Sequence, residues 1–234
     1  MHGGGKRDII VVKGGEFMRD FPIFDTEFGV ASLILKEIPY KKQAFIHIRS
    51  VQDGCFDQLL EECVSFCRMA GAERIFAAGH EKLEGFPLYT AVVEMRGMVD
   101  SQEQACLFPV TQETVTQWRS IYNQAMAEVD NAGTLEGREE KRILDSGGAY
   151  FVHDSGKLLG IGWMEGNKLL AVASTVKGAG ARVVRTLAGL CDGETLVLEV
   201  ASTNERAIRL YERLGLVKTG EISRWYEVTG RKEI

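Results

Sequence analysis

Several absences narrow what this chain can be. No run of 18 or more uncharged apolar residues occurs, which excludes a transmembrane helix and predicts no membrane partner. The apolar core Ile9-Ile10-Val11-Val12, after the basic pair Lys6-Arg7, is too short for a secretory signal. Five cysteines, an odd number with no Cys-x-x-Cys among them, argue for free thiols in a reducing, cytoplasmic setting. Cys63 and Cys67 stand four apart on a helical stretch, but no second pair or spaced histidine completes a zinc set. They are expected to pack as small apolar residues, with no metal site. A basic excess is missing too: residues 1–103 carry 12 positive and 16 negative side chains, and residues 104–234 carry 16 and 17. Nucleic-acid binding would predict a basic footprint, so no nucleic-acid partner is expected.

What is present is the composition of an ordinary globular protein, with 234 residues to bury a sizeable core. Gly3-Gly4-Gly5 predicts a flexible end. Alternation predicts strands over Val30–Leu35 and Ala44–Arg49, then a helix over Asp57–Met69 with Phe56, Leu59, Leu60, Cys63, Phe66 and Cys67 on its buried face. Strands over Arg74–Ala78 and Tyr89–Met95 follow. Farther on, a helix with the stripe Val115, Trp118, Ile121, Tyr122 and Met126 precedes a charged helix from about Leu135 to Leu144. A hairpin then turns at Asp154-Ser155-Gly156, and a second tight turn at Glu165-Gly166-Asn167 leads into a third strand.

The chain is organised around residues 169–215. The strand Leu169–Ser174 runs into the turn Lys177-Gly178-Ala179-Gly180-Ala181, then a helix burying Val183, Val184, Leu187 and Leu190. Glycines at a helix start let the backbone approach an anion, which the helix N-terminus favours. A lone Gly-x-Gly is a weak signal, since glycine turns before helices are common, and taken alone it favours a plain structural turn. It is not a dinucleotide fingerprint, since Val183 fills the third small position, nor a P-loop, since no Gly-Lys-Ser/Thr follows. The strand Leu196–Ala201 and a helix closed by Gly215 come next, then a last strand over Glu221–Val228.

The second motif, Asn204-x-x-Ala207-x-x-x-Tyr211-Glu212-x-x-Gly215 after Leu198-Glu199-Val200, resembles the C-terminal signature of the GCN5-related N-acetyltransferases (GNAT). Gly178-x-Gly180 falls where that family places its pyrophosphate turn, and the resemblance covers roughly Leu107 to Val228. It implies a mixed α/β fold of the α+β class: a GNAT-like central mixed sheet flanked by helices. It implies acetyl transfer from acetyl-CoA to a primary amine of a small molecule or peptide. A CoA-binding regulatory module without turnover is the alternative.

Carried over by motif, Ala171, Val172 and Ala173 would pair with the pantetheine arm. Lys177, Gly178, Ala179, Gly180, Ala181 and Arg182 would hold the pyrophosphate. Asn204 and Ala207 would line the arm, and Tyr211 would contact the cofactor and protonate the leaving thiolate. Glu199, a carboxylate in an apolar strand, is the candidate base or else half of a structural ion pair, with Glu165 second. Ser202 and Glu205 form a plausible capping box beside Asn204. One departure from the family is Thr175, where Gln or Arg is usual, on a connection about two residues short.

The order helix, glycine, apolar strand recurs in residues 1–103, with Cys67–Ala78 echoing Leu187–Ser202, as in a degenerate second GNAT-like copy. Its turn holds only Gly54. Residues 1–103 are therefore expected to form a structural α/β subdomain, as packing platform, substrate wall or homodimer surface, beside a catalytic domain over 104–234. His47 and His80, without spaced partners, are assigned structural roles, and Arg224 and Trp225 are candidates for the acceptor groove.

Overall fold

A computed structural model describes residues 9–10, 23–101, 105–130, 132–191 and 193–230. The glycine-rich end at residues 3–5 lies outside them. In chain order the first elements are β1 (Ile9–Ile10), β2 (Ile23–Thr26), β3 (Gly29–Ile34), α1 (Ile38–Lys41), β4 (Gln43–Val51), α2 (Phe56–Met69), β5 (Arg74–Ala78) and β6 (Leu88–Gly97). Next come β7 (Cys106–Pro109), α3 (Val115–Met126), α4 (Glu140–Ser146), β8 (Ala149–Asp154), β9 (Lys157–Glu165) and β10 (Lys168–Ser174). The chain closes with α5 (Gly180–Ala188), β11 (Leu196–Ala201), α6 (Glu205–Arg213) and β12 (Val217–Glu227). The fold is mixed α/β, and the chain divides into two compact units: Met1–Gly14 with Val92–Gly220, and Gly15–Ala91 with Glu221–Ile234. Among the described residues no helix is long and apolar enough to cross a membrane.

In the unit built on Val92–Gly220, β7, β8, β9 and β10 form an antiparallel meander. β10 then meets β11 in parallel, with α5 as the crossover. The other edge of β11 pairs antiparallel with Val92–Gly97 of β6, from Leu196 opposite Gly97 to Ala201 opposite Val92. Successive strand residues face opposite sides. Trp163 on β9 meets the buried Trp118 of α3 edge-on, with centroids 6.2 Å apart. Gly160 and Gly162 therefore face α5, whose Val183, Val184 and Leu187 are fully buried.

Those two glycines let α5 sit close to the sheet. A Cβ on Gly162 would lie 2.2 Å from Leu187 Cδ1, and one on Gly160 2.3 Å from the Ala173 carbonyl oxygen. A leucine tip swings aside, whereas a strand carbonyl does not. Gly160→Ala is accordingly expected to cost about 1–3 kcal/mol by overpacking. Chemical denaturation checks this, and an unchanged midpoint would show the strand gives way.

In the other unit β2, β3 and β4 are antiparallel, and β4 and β5 run parallel. Tyr226 and Glu227 of β12 pair antiparallel with Ala77 and Phe76 on β5. Leu59, Leu60, Cys63 and Cys67 of α2 are fully buried in a core with Ile46, Ile75 and Ala77. Burial pushes the Cys63 and Cys67 thiols up to about 12, aided at Cys63 by Cys67 and Glu62. These are packed, protonated thiols.

Four details differ from the sequence expectation. Phe66 is 38% exposed and stands beside Phe24, with Val64 taking the buried place. Leu190 is exposed because α5 ends at Ala188 and the next three residues form a 3₁₀ turn, whose tighter winding rotates Leu190 off the apolar stripe. The charged helix is a 3₁₀ turn over Gly137–Glu139 followed by α4. The final strand starts at Val217, four residues before Glu221.

Candidate functional site

The site begins where two strands part company. β10 pairs with β11 at Lys168 opposite Val197 and Leu169 opposite Leu198. Its pairing with β9 then shifts register between Leu169 and Ala171, and such a bulge bends the strand that carries it. Beyond the bulge the edge of β10 turned from β9 is paired with β1, Ile9 opposite Ala173 and Ile10 opposite Val172. The side chains of Ala171, Val172 and Ala173 are buried, so what this edge offers a partner is backbone. The other unit repeats the order strand, positive-φ glycine, helix, strand, with Gly54 at φ +78° and Gly178 at φ +84°. There β4 and β5 pair through five positions, from Gln43–Arg74 to His47–Ala78, and β4 runs on to Val51 after β5 has ended.

The turn after β10 is held from within. Ser174 Oγ donates to the Val176 carbonyl at 2.5 Å, and Thr175 Oγ1 donates to the Leu158 carbonyl at 2.7 Å. Thr175 is thereby tied to β9, which accounts for the short connection. Gly178, exposed and left-handed, reverses the chain. Ala179 occupies the N-cap of α5 and has no side-chain acceptor, so no cap oxygen competes for the amides of Gly180, Ala181 and Arg182. Lys177 is exposed beside them. The Arg182 guanidinium is engaged: Nη1 lies 2.6 Å from Asp154 Oδ2 at the β8–β9 turn. Its Nε is buried with no partner among the described residues.

The next helix supplies two more unpartnered groups. Asn204, not Ser202, is the N-cap of α6, so the capping box expected at Ser202 and Glu205 is replaced by a cap two residues later. Asn204 Oδ1 accepts from the Ala207 amide at 3.2 Å, while Nδ2 is buried without a hydrogen bond among the described residues. Ala207 and Tyr211 are fully buried, and the Tyr211 hydroxyl also has no partner there. Burial holds the phenol well above its ordinary range, hence protonated. The helix ends in a Schellman motif, with the Gly215 amide bonded to the Glu212 carbonyl and Leu216 to Tyr211. That fixes the turn carrying Tyr211.

Glu199 is 5% exposed, and its Oε1 lies 2.9 Å from Lys168 Nζ. Lys168 supplies the charge a buried carboxylate needs, from the start of β10. Glu165 is exposed at the end of β9. Arg224 and Trp225 fall in the unit built on Gly15–Ala91. There Arg224 pairs with Glu221 at 2.6 Å, and Trp225 is buried edge-on to Phe45. His80 Nδ1 accepts the Lys82 amide and stacks on Phe56, a capping role. His47 neighbours Trp225; burial first and Arg49 second lower its pKa.

Sequence reasoning missed a cleft of about 400 Å³ lined by Phe108, Phe151, Leu158, Gln117 and His153. Strand pairing and the placement of α3, which carries Gln117, bring these residues together, so no local motif marks them.

No protein-family model matches the sequence, and no curated protein matches it significantly. Solved structures do resemble it. A GCN5-related N-acetyltransferase from Kribbella flavida superposes with TM-score 0.55 at 11% identity, over 86% of this chain and 56% of that one. A candidate acetyltransferase from Pyrococcus horikoshii gives TM-score 0.52 at 12% identity, over 85% and 68%. A conserved protein of unknown function from Staphylococcus epidermidis gives 0.52 at 9%, over 89% and 93%. At these identities the likeness is one of fold, and the fold is that of the GCN5-related N-acetyltransferases.

Proposed function

We propose that this chain is an N-acetyltransferase that moves an acetyl group from acetyl-CoA to a primary amine. The observation that carries the reading is the parting of β10 and β11 after Leu169, leading to the uncapped start of α5. Two buried polar groups without partners among the described residues, Asn204 Nδ2 and Tyr211 Oη, stand on the helix that follows β11. Unmatched buried donors are costly, and their persistence suits a site completed by a polar ligand.

In this reading the backbone of Ala171, Val172 and Ala173 pairs with the amides of the pantetheine arm. Asn204 Nδ2 donates to the arm, and the absence of a longer side chain at Ala207 leaves room for it. The amides of Gly178 to Arg182 face the diphosphate, with Lys177 adding charge. Bound acetyl-CoA supplies an activated acyl group and a thiol leaving group. A neutral amine attacks the thioester as the C–S bond breaks, and Tyr211, held protonated, gives its proton to the departing sulfur. The proton shed by the acetylated nitrogen returns through solvent to the phenolate. The turn after β4 holds only Gly54 where the turn after β10 holds Gly178 and Gly180, which supports a structural role for residues 1–103, without a second donor site.

The ion pair with Lys168 supports the anchoring role of Glu199 over the base role. Glu199→Gln separates them. As an anchor, Glu199 loses about 1–3 kcal/mol of stability on substitution while kcat/KM at saturating donor stays within a few-fold. A fall of about 100-fold or more in kcat/KM, with stability kept, would assign it the base.

Thiol release from acetyl-CoA over a panel of primary amines tests the function, together with thermal unfolding. Acetyl-CoA at about a hundredfold its Kd adds ~2.7 kcal/mol. No shift with acetyl-CoA overturns the reading.

A further inference from the structure

Ile9 and Ile10 lie on the part of β10 that the donor needs. β1 pairs antiparallel with Val172 and Ala173, past the point where β11 has parted from β10, and it also lies against α6. An extended peptide and the pantetheine arm present the same chemistry to a strand edge, amide groups spaced along a flexible chain. They cannot occupy one edge together. We propose that β1 is an intramolecular competitor for the donor site, a built-in inhibitory strand that must leave β10 before acetyl-CoA binds. The proposal rests on the functional reading above, since it needs the donor arm to use this edge.

The physics favours an exchangeable contact. Two paired residues form a short ladder, and a two-stranded contact of that length is marginal on its own. The local concentration of β1 is set by its covalent attachment, so it competes without being tight. The apparent donor affinity is then the intrinsic one divided by the fraction of molecules with β10 free. If β1 is docked nine-tenths of the time, removing it tightens binding about tenfold.

The Ile9→Pro/Ile10→Pro variant removes the β1 amide that faces β10, whichever of the two it is, and is incompatible with the ladder. Calorimetric titration with acetyl-CoA is expected to give a Kd about tenfold lower in the variant than in the full chain. Amide hydrogen exchange on the unaltered chain supplies a measurement that needs no variant. Adding acetyl-CoA should speed exchange at the β1 amide that faces β10, that of Ile9 or Ile10, while Val172 and Ala173 stay protected. Equal affinities, or a β10-facing amide of β1 that stays protected in the bound protein, overturn the proposal and leave the donor site standing. Failure of both chains to bind acetyl-CoA overturns the donor site, and the inhibitory strand with it.

Discussion

Replacing Tyr211 by phenylalanine is expected to lower kcat by about 100-fold or more while leaving the Kd for acetyl-CoA within about twofold. The melting temperature should hold or rise. The hydroxyl is fully buried without a hydrogen bond among the described residues, and an unmatched buried polar group costs about 1–3 kcal/mol. Phenylalanine keeps the ring and removes the unmatched group. A gain of about 1 kcal/mol corresponds to roughly 2–4 °C at this chain length. Lost turnover is the diagnostic readout, because a merely structural tyrosine with the same unmatched hydroxyl would keep both stability and activity. Burial also keeps the phenol protonated beyond its usual range, so no alkaline fall in rate near pH 10 should be traceable to Tyr211. Full turnover by the phenylalanine variant would remove the acid from the mechanism.

A carboxylate at position 181 should abolish most donor binding without harming the fold. Ala181 is partly exposed in the first turn of α5, where an acidic side chain complements the helix dipole by about 0.3–1 kcal/mol. The same carboxylate would draw on the amides proposed to face the diphosphate, and would repel it. Ala181→Glu is therefore expected to hold or raise the melting temperature while weakening acetyl-CoA binding at least tenfold, about 1.4 kcal/mol or more. The loss should shrink as salt is raised, since exposed charges are screened. Unchanged affinity would place the diphosphate elsewhere.

Local chemistry made much of this legible. The 3.6-residue stripe of α2, the hairpin turning at Ser155-Gly156 and the glycine turn at Gly178 each follow from spacing within a dozen residues. Contacts between distant residues did not. Lys168 as the partner of Glu199 lies 31 positions away, and Asp154 as the partner of Arg182 lies 28 away. The parting of β10 from β11 is invisible because both strands read as apolar runs whether or not they touch. The Asn204 cap was obscured by a rival, since Ser202 and Glu205 fit the capping-box pattern equally well. Phe66 shows that a periodic pattern marks which face is apolar, not how far cover extends across it.

Val92–Gly97 completes the edge of β11, and residues near Glu227 complete the edge of β5. The polypeptide is thus wired in an interleaved order: the unit built on Gly15–Ala91 receives its final strand only after Val92–Gly220 has been made. It cannot close until that intervening stretch has been synthesised, unlike a unit whose strands are consecutive. A gene fragment beginning at residue 104 would likewise emerge with β11 bare along one side, prone to clumping. Neither half is a cassette that recombination can lift out intact.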